Sequence, residues 1–432
     1  MKKEIGIGLA GFGTVGSGVY KNLVRNGALI EERAGVCFRV RRIAVKDLAE
    51  PRAVEAPEEL FVTRPDELIE DPGIQIVIEL MGGIDFPLAF IRRAIQAGKS
   101  VITANKALLA EHGREIFELA KEKKVAVFFE AAVAGGIPII KAVRESFVGN
   151  HIECIHGIFN GTSNYILTRM TDAGLDFSPA LEEAQKLGYA EADPALDVNG
   201  WDAAHKAIIL ASLAYGFWVD PAKVHVEGIE NVTASDIRFA DELGYRIKLI
   251  ATIKADDEGK IEVRVAPTLI PKSHVLASVN GVFNAVAVRG DVVGETLFYG
   301  RGAGQDPTSS AVLCDLVEAG IALSSPKESH GFAAHDLYGD CKPVADSVSK
   351  FYLRLGVEDR PGVLAQIAGA LGAADIGILS VIQPESHTGE FISLVLILHD
   401  APYGKMLTAT KTLAALPCVK SEPLLLHMET FL

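Results

Sequence analysis

The sequence predicts an α/β chain built from an open, doubly wound parallel sheet, a second domain of α+β type and a C-terminal β-α-β-β-α-β unit. Three observations carry this prediction. Apolar Ile5 to Ala10 runs into Gly11-Phe12-Gly13-Thr14-Val15-Gly16 and a helix-like segment through Leu23, the strand, glycine turn and helix of a dinucleotide fingerprint. Short apolar runs then alternate with helical stretches as far as Phe129, the mark of a parallel sheet. Beyond residue 350 the order becomes strand, helix, strand, strand, helix, strand, a ferredoxin-like arrangement.

Taken in order, strands are expected at Arg39 to Val45, Ile74 to Leu80, Val101 to Thr103 and Val125 to Phe129, with helices at Pro87 to Ala97 and Ala107 to Lys121. In the fingerprint the glycines allow a tight turn, close approach to a pyrophosphate and close helix packing, while the helix N-terminus favours negative charge. The second strand ends Ala44-Val45-Lys46-Asp47, with Arg42 and Arg52 nearby. A basic residue there suits the 2′-phosphate of NADP, an acidic one the ribose hydroxyl of NAD; with Lys46 first, NADP(H) is expected, with NAD(H) tolerated. Met81-Gly82-Gly83 and Ala104-Asn105-Lys106 follow strand ends, where open sheets bind their ligands.

From about residue 140 to 320 strand-like runs (His151 to Phe159, Leu249 to Ile253, Ile261 to Leu269, Val282 to Val288) mix with helices near Gly161 to Thr171, Pro179 to Leu187, Trp201 to Gly216 and Ser235 to Leu243. A glycine-rich loop, Gly300 to Thr308, precedes a helix, Ser309 to Ala319, which can return to the nucleotide domain. Residues 321–349 read as a connection. The terminal unit runs through strand Phe351 to Gly356, turn Asp359-Arg360-Pro361-Gly362, helix Val363 to Leu371, strand Ile376 to Gln383, turn Thr388-Gly389, strand Phe391 to His399, helix Gly404 to Leu416 and strand Val419 to Leu426. It carries no catalytic constellation, so binding or regulation is its natural role.

Composition narrows the function. At ~150 residues per domain, 432 residues make two to three domains. A net charge of -14 argues against a general nucleic-acid binder. Five scattered cysteines without a C-x-x-C pair fit a reducing compartment; Cys154, in a strand-like stretch, reads as a structural thiol. The N-terminus shows no cleavable leader pattern and no apolar run reaches the ~18 to 20 residues of a membrane span. The expectation is a cytoplasmic, soluble protein without membrane partners.

The segment Tyr189 to Lys206 carries the chemistry. It holds Glu191, Asp193, Asp197 and Asp202, and Asn199-Gly200 opens a helix on which Asp202 and Lys206 stand at i and i+4, on one face. Charges leading into a mostly apolar helix are costly unless paired or used.

With Tyr189-Ala190-Glu191-Ala192-Asp193-Pro194, Asp197 to Lys206, Ala104-Asn105-Lys106, Asn160-Gly161-Thr162-Ser163-Asn164-Tyr165 and the loop at Gly300, the chain resembles homoserine dehydrogenases that carry an ACT-type regulatory domain, over essentially its whole length. The resemblance implies a Rossmann-type NAD(P)-binding domain at 1–140, completed by a returning helix near 305–320, a substrate-binding and dimerisation domain at 141–320, a linker at 321–349 and an ACT-type domain at 350–432. It implies reversible reduction of L-aspartate 4-semialdehyde to L-homoserine in threonine, methionine and isoleucine biosynthesis. Lys206 matches the family's general acid/base, with Lys106 near the reacting end or the nicotinamide. Glu191, Asp202 and Asp197 match substrate positions. The cofactor set is Gly11 to Gly16, Val45, Lys46, Lys106, Gly188, Gly302 and Gly304. A monovalent cation, Na+ or K+, maps to the backbone of Glu130, Val133, Gly135 and Ile137. The effector turn is Asp359, Gly362 and Val363, with threonine expected as effector and a dimer or tetramer as the assembly. Gln305 departs from the pattern where glycine is expected. Two other readings are a non-catalytic amino-acid sensor, against which the carboxylates and Lys206 speak, and a phosphorylating semialdehyde dehydrogenase, which needs a reactive cysteine with a nearby base.

Overall fold

The computed structural model describes residues 3–324, 338–383 and 391–431. The chain divides into two compact units, Met1–Cys154 with His205–Pro221 and Asn284–Gly339, and Ile155–Ala204 with Ala222–Phe283 and Asp340–Leu432.

The first unit begins with β1 (Lys3–Ala10), α1 (Thr14–Ala34), β2 (Val36–Ala44), β3 (Phe61–Val62), α2 (Asp66–Glu70), β4 (Ile76–Glu79), α3 (Asp85–Gln96), β5 (Ser100–Thr103), α4 (Lys106–Lys123), β6 (Val127–Phe128) and the short α5 (Ile139–Lys141). Its sheet runs β3-β2-β1-β4-β5-β6, all parallel. The order reverses between β1 and β4, the switch point at which such sheets bind nucleotides. Central strands buried on both faces read as unbroken apolar runs, and Ile5, Ile7, Leu9, Ile76 and Ile78 pack against Val19 and Leu23 of α1 in one core.

In the second unit follow β7 (Ile152–Ile158), α6 (Gly161–Ala173), α7 (Phe177–Lys186), the single-turn α8 (Ala195–Val198), α9 (Trp201–Tyr215), β8 (His225–Val226), α10 (Ala234–Glu242), β9 (Tyr245–Ala255) and β10 (Ile261–Pro271); β7 and α9 span the division between the units. The chain then supplies the first unit with β11 (Phe283–Gly290), β12 (Gly294–Arg301) and α11 (Gln305–Ser324). Val312, Leu316 and Ala319 of α11 join the nucleotide-domain core, so the expected returning helix is present. It begins at Gln305 and not at Ser309, while β12 extends to Arg301, which shortens the glycine-rich loop to residues 302–304. Pro307 suits the first turn of a helix, where an N–H has no partner to lose.

The terminal elements are β13 (Val348–Val357), α12 (Val363–Ala373), β14 (Ile378–Ile382), β15 (Ile392–Pro402), α13 (Tyr403–Ala414) and β16 (Leu424–Met428). The expected turn at Thr388-Gly389 and residues 325–337 of the expected linker lie outside the described residues. Along β13, Phe351, Leu353 and Leu355 face a core with Ile367, Leu371, Met406 and Leu413, the period-2 pattern of a strand. What the sequence does not disclose is that this sheet is no separate body. β16 lies between β10 and β13, parallel to β10 and antiparallel to β13, so one sheet runs from β7 and β9 through β10 and β16 to β13, β15 and β14.

Buried charge fastens this seam. Glu429, just past β16, takes Arg264 Nη2 at 2.7 Å and Lys254 Nζ at 2.6 Å. On the opposite face of β13, Tyr352 Oη and Arg354 Nε donate to Asp236 at 2.9 and 2.7 Å, and Asp236 also completes a capping box with Thr233 at the start of α10. Burial alone would raise the Glu429 carboxyl, but Lys254, Arg264 and His156 outweigh it and hold it down at about 2. A depressed carboxylate contributes stability above its unfolded pKa of ~4.3, which is lost as the pH falls through the folded value. Glu429→Gln leaves Lys254 uncompensated and Arg264 with Glu262 as its remaining carboxylate, and is expected to lower stability by roughly 3–5 kcal/mol near neutrality. In urea unfolding the gap between the variant and the parent should stay constant above about pH 5 and shrink towards pH 2.

Candidate active site

The glycine fingerprint lies in the first unit. Gly11 has φ +104°, and a Cβ there would stand 2.5 Å from the Leu80 carbonyl oxygen; one on Gly16 would stand 2.1 Å from the Gly11 oxygen. Both positions require glycine. Gly13, the N-cap of α1, has no atom within 4 Å of its missing Cβ, and the first turn that follows carries no acidic side chain. Open space before exposed N–H groups and a helix N-terminus fits a pyrophosphate.

Gln305, where the family pattern suggests glycine, has a packing role. Its side chain donates to Ser17 Oγ at 3.2 Å and accepts from Lys21 Nζ at 2.9 Å, and it fills the space over Gly18. Ser17 Oγ in turn donates to the Gly13 carbonyl at 2.7 Å. α11 is thereby tied to the fingerprint itself. Gly304, at φ +117°, needs glycine for its backbone. Gly302 needs it for space, since a Cβ would fall 2.0 Å from Asn284 Nδ2.

At the end of β2, Val45 N–H donates to Val62 O, and Lys46 and Asp47 follow. The Asp47 carboxylate accepts from Ala49 N at 2.9 Å and so caps its own turn. Arg52 donates to the Asp47 and Leu48 carbonyls and lies 4.2 Å above the Phe61 ring, lining a cavity of 480 Å³ with Leu48, Val54, Glu55, Ala56 and Glu58.

Around Glu130 to Ile137 the backbone is unusual. Ala134, a non-glycine residue, has φ +55°, and Gly135 follows at +53°; a left-handed alanine costs roughly 1–2 kcal/mol. The Glu130 carboxylate accepts from Ile140 N and Lys141 N at 3.0 and 2.8 Å, and burial raises it to about 7. It caps α5, so an ion in this segment would depend on backbone carbonyls. Among the described residues no group of three His, Cys, Asp or Glu side chains could hold a metal.

In the second unit the acidic segment is organised by Asn160. Its Oδ1 accepts Ser163 N at 2.7 Å, capping α6, while its Nδ2 donates to Asp197 Oδ1 at 2.7 Å and to Asp202 Oδ2 at 2.9 Å. One amide thus holds two carboxylates together. Ser163 Oγ donates to the Asp197 carbonyl, Thr162 Oγ1 to that of Tyr189, both at 2.7 Å, and the Tyr165 and Tyr189 rings pack at 4.8 Å. The Asn160 to Tyr165 motif is therefore the clamp for the acidic segment. α9 opens at Trp201 after Gly200, at φ +89°, and carries Asp202 and then Lys206 one turn later, both buried. Asp193 caps the turn into α8 through Ala195 N, a structural role; Asp197 shares Asn160 with Asp202. Glu191 stands exposed on the same loop, and Gly188, at φ +74°, follows α7.

One buried residue escaped the sequence reading. Lys248, on β9, is buried and donates to Val279 O, Asn164 Oδ1 and Asn280 Oδ1; burial and then Arg246 lower it to about 8. Its only signal is a lysine inside an apolar run. Cys154 is half-buried in β7. In the terminal unit Gly362, at φ +87°, is the N-cap of α12, with Val363 its first residue; Glu358 braces the turn through Arg360 and Lys420, beside Asp359.

A parallel sheet with this strand order and glycine turn, in a chain that also carries a unit rich in carboxylates and a small ferredoxin-like module, has the organisation of a nicotinamide-dependent dehydrogenase. Family models agree: homoserine dehydrogenase, NAD binding domain, matches residues 11–130, homoserine dehydrogenase matches 138–317, and the ACT domain matches 351–415. The homoserine dehydrogenase of Pseudomonas aeruginosa is 43% identical over 99% of each chain. The crystal structure of the Thiobacillus denitrificans homoserine dehydrogenase superposes with a TM-score of 0.93 at 43% identity, covering 99% of each chain. A hyperthermophilic archaeal homoserine dehydrogenase in complex with NADPH gives 0.63 at 28% identity, over 75% of this chain and 99% of the other. The chain belongs to the homoserine dehydrogenase family, NAD(P)-dependent oxidoreductases acting on the CH–OH group. No helix among the described residues is long and apolar enough to cross a membrane.

Asn160→Asp would set a third carboxylate between Asp197 and Asp202. Ionised like charges at that spacing repel, so a loss of about 2 kcal/mol or more is expected at pH 8. Denaturant unfolding of the variant beside the parent checks this.

Proposed function

We propose that the chain interconverts L-aspartate 4-semialdehyde and L-homoserine, serving threonine, methionine and isoleucine biosynthesis in the cytoplasm. The observation that carries this reading is the Asp197 and Asp202 pair, bridged by Asn160, at the start of the helix that bears Lys206. The substrate is an amino acid, and its ammonium group calls for carboxylates: Asp202, Asp197 and Glu191 receive it. Reducing the aldehyde needs a hydride on carbon, which the bound nicotinamide supplies. Lys206 gives its proton to the aldehyde oxygen and takes one from the homoserine hydroxyl in the reverse direction. A carboxylate one turn away favours the ammonium form of a buried lysine. Lys106 acts near the reacting end or the nicotinamide.

The cofactor is NADP(H) in preference to NAD(H), held by Gly11 to Gly16, Val45, Lys46, Lys106, Gly188, Gly302 and Gly304. The Asp47 carboxylate is engaged by Ala49 N, which leaves Lys46 to favour the 2′-phosphate. A sodium or potassium ion sits at the carbonyls of Glu130, Val133, Gly135 and Ile137, where the left-handed Ala134 is the supporting observation. Functionally the chain divides at 1–140, 141–320, 321–349 and 350–432, and it works as a dimer or tetramer. Threonine binds the terminal domain at Asp359, Gly362 and Val363.

Lys206→Ala should lower turnover by ~10²- to 10⁴-fold, measured as NADPH oxidation on addition of aspartate semialdehyde without phosphate. Near-normal turnover sinks the assignment, and thiol alkylation should leave the parent's activity intact. With each cofactor in turn, Lys46→Ala should erode the preference for NADPH over NADH; a strong NADH preference unchanged by the substitution would count against it. Threonine should give a calorimetric binding signal or alter activity, and activity should depend on sodium or potassium. A silent titration with unchanged rate excludes threonine, and indifference to both ions excludes the cation.

A further inference from the structure

The turn Met81 to Gly83 and the start of α4 leave the carboxyl ends of neighbouring strands β4 and β5, the edge at which a parallel sheet meets its ligand. Between them lies a side chain that neither the family motifs nor the fingerprint singles out. Glu79 ends β4 after Ile76, Val77 and Ile78 and is fully buried. A buried carboxylate costs several kcal/mol in desolvation, and the partners Glu79 has are neutral. Its Oε1 accepts Met81 N–H at 2.8 Å, its Oε2 accepts the Thr103 hydroxyl at 2.7 Å, and Gly82 N–H also points to it. Burial accordingly raises its pKa. A leucine would avoid that cost but leave Met81 N–H and the Thr103 hydroxyl without their acceptor.

The contacts form a ring. Thr103, itself fully buried, accepts Asn105 N–H at 3.0 Å. Asn105 Nδ2 donates to the Gly83 carbonyl at 2.7 Å, and its Oδ1 caps α4 through Leu108 N at 3.2 Å. The chain from Met81 to Gly83 closes the circuit back to Glu79. Gly82 and Gly83 have φ +75° and +79°, with nothing within 4 Å of either missing Cβ, so the far side of the turn is open. Lys106 is the first residue of α4, immediately after the asparagine in the ring.

We propose that Glu79 is a positioning residue for the reaction: through Thr103 and Asn105 it sets the Met81 to Gly83 turn and Lys106 in one fixed relation. The proposal rests on the reading that Lys106 acts at the reacting end. Glu79 touches neither substrate nor cofactor itself; it acts through groups that do.

The test is a double-mutant cycle on the whole enzyme. Glu79→Leu and Thr103→Val each break the ring, the second with little change of shape. Each is expected to lower kcat between about tenfold and 100-fold, the range for small misplacements of a reacting group. In a Lys106→Ala background the same substitutions should lower kcat by less than about twofold, because coupled residues are non-additive. Glu79→Gln can accept from Met81 and donate to Thr103, and should recover kcat to within about threefold of the parent. Equal losses with and without Lys106, or a fall in melting temperature with kcat unchanged, overturns the proposal while leaving the role of Lys106 standing. So does a Gln variant as poor as the Leu variant. If Lys106→Ala alone keeps full activity, the underlying reading fails and the proposal falls with it. Thr103→Val keeps the cycle decisive should Glu79→Leu fail to fold.

Discussion

A carboxylate removed from water must be given donors or cations in its place, and this acidic chain is built around five such provisions. Asn160 serves Asp197 and Asp202 together. Asp236 receives Tyr352 and Arg354, and Glu429 receives Arg264 and Lys254. Glu130 takes the N–H groups that open α5, and Glu79 those that follow β4. Asp202, Asp236 and Glu429 each join segments far apart in sequence, while Glu130 fastens the turn just beyond it. Cations serve the acids where strands of the terminal module meet β10.

The seam changes how the terminal module is joined to the rest of the second unit. As a domain on a flexible linker, a ligand-binding module acts only through tethering. Here β16 bonds to both β10 and β13, and Tyr403, first residue of α13, donates to Glu227. The chain around Glu227 bears directly on the acidic segment: a Cβ on Gly228 would meet the Val198 carbonyl oxygen at 2.4 Å, and one on Gly200 the Glu227 oxygen at 3.0 Å. Close-packed contacts of this kind pass on small shifts because they have few intermediate arrangements. The packed path from the module to Asp197 and Asp202 is short and continuous within the second unit.

Much of the architecture was legible in the residues. The unbroken apolar runs of β1 and β4, the fingerprint glycines and the alternation of Phe351, Leu353 and Leu355 each state their element through local periodicity. Asn199-Gly200 marked the start of α9. The clearest errors lie where a neighbour decides. Gln305 looked like a departure inside a loop, yet Ser17 and Lys21 draw it into α11. The two-residue strands β3 and β8 carry too little pattern to be read alone. Asp193 and Asp197 were indistinguishable in a string of acids; one caps a turn and the other shares Asn160.

The sequence by itself determined the fold class, the order of the elements, the nucleotide fingerprint and the cluster of acids before Lys206, because period, glycine and cap signals act over a few residues. Only the tertiary structure decided which acid receives which donor, that the terminal strand joins two sheets into one, and that Glu79 and Lys248 stand behind the site. Those pairings span tens to hundreds of residues along the chain, and a lone charge in an apolar run does not name the partner that makes its burial tolerable.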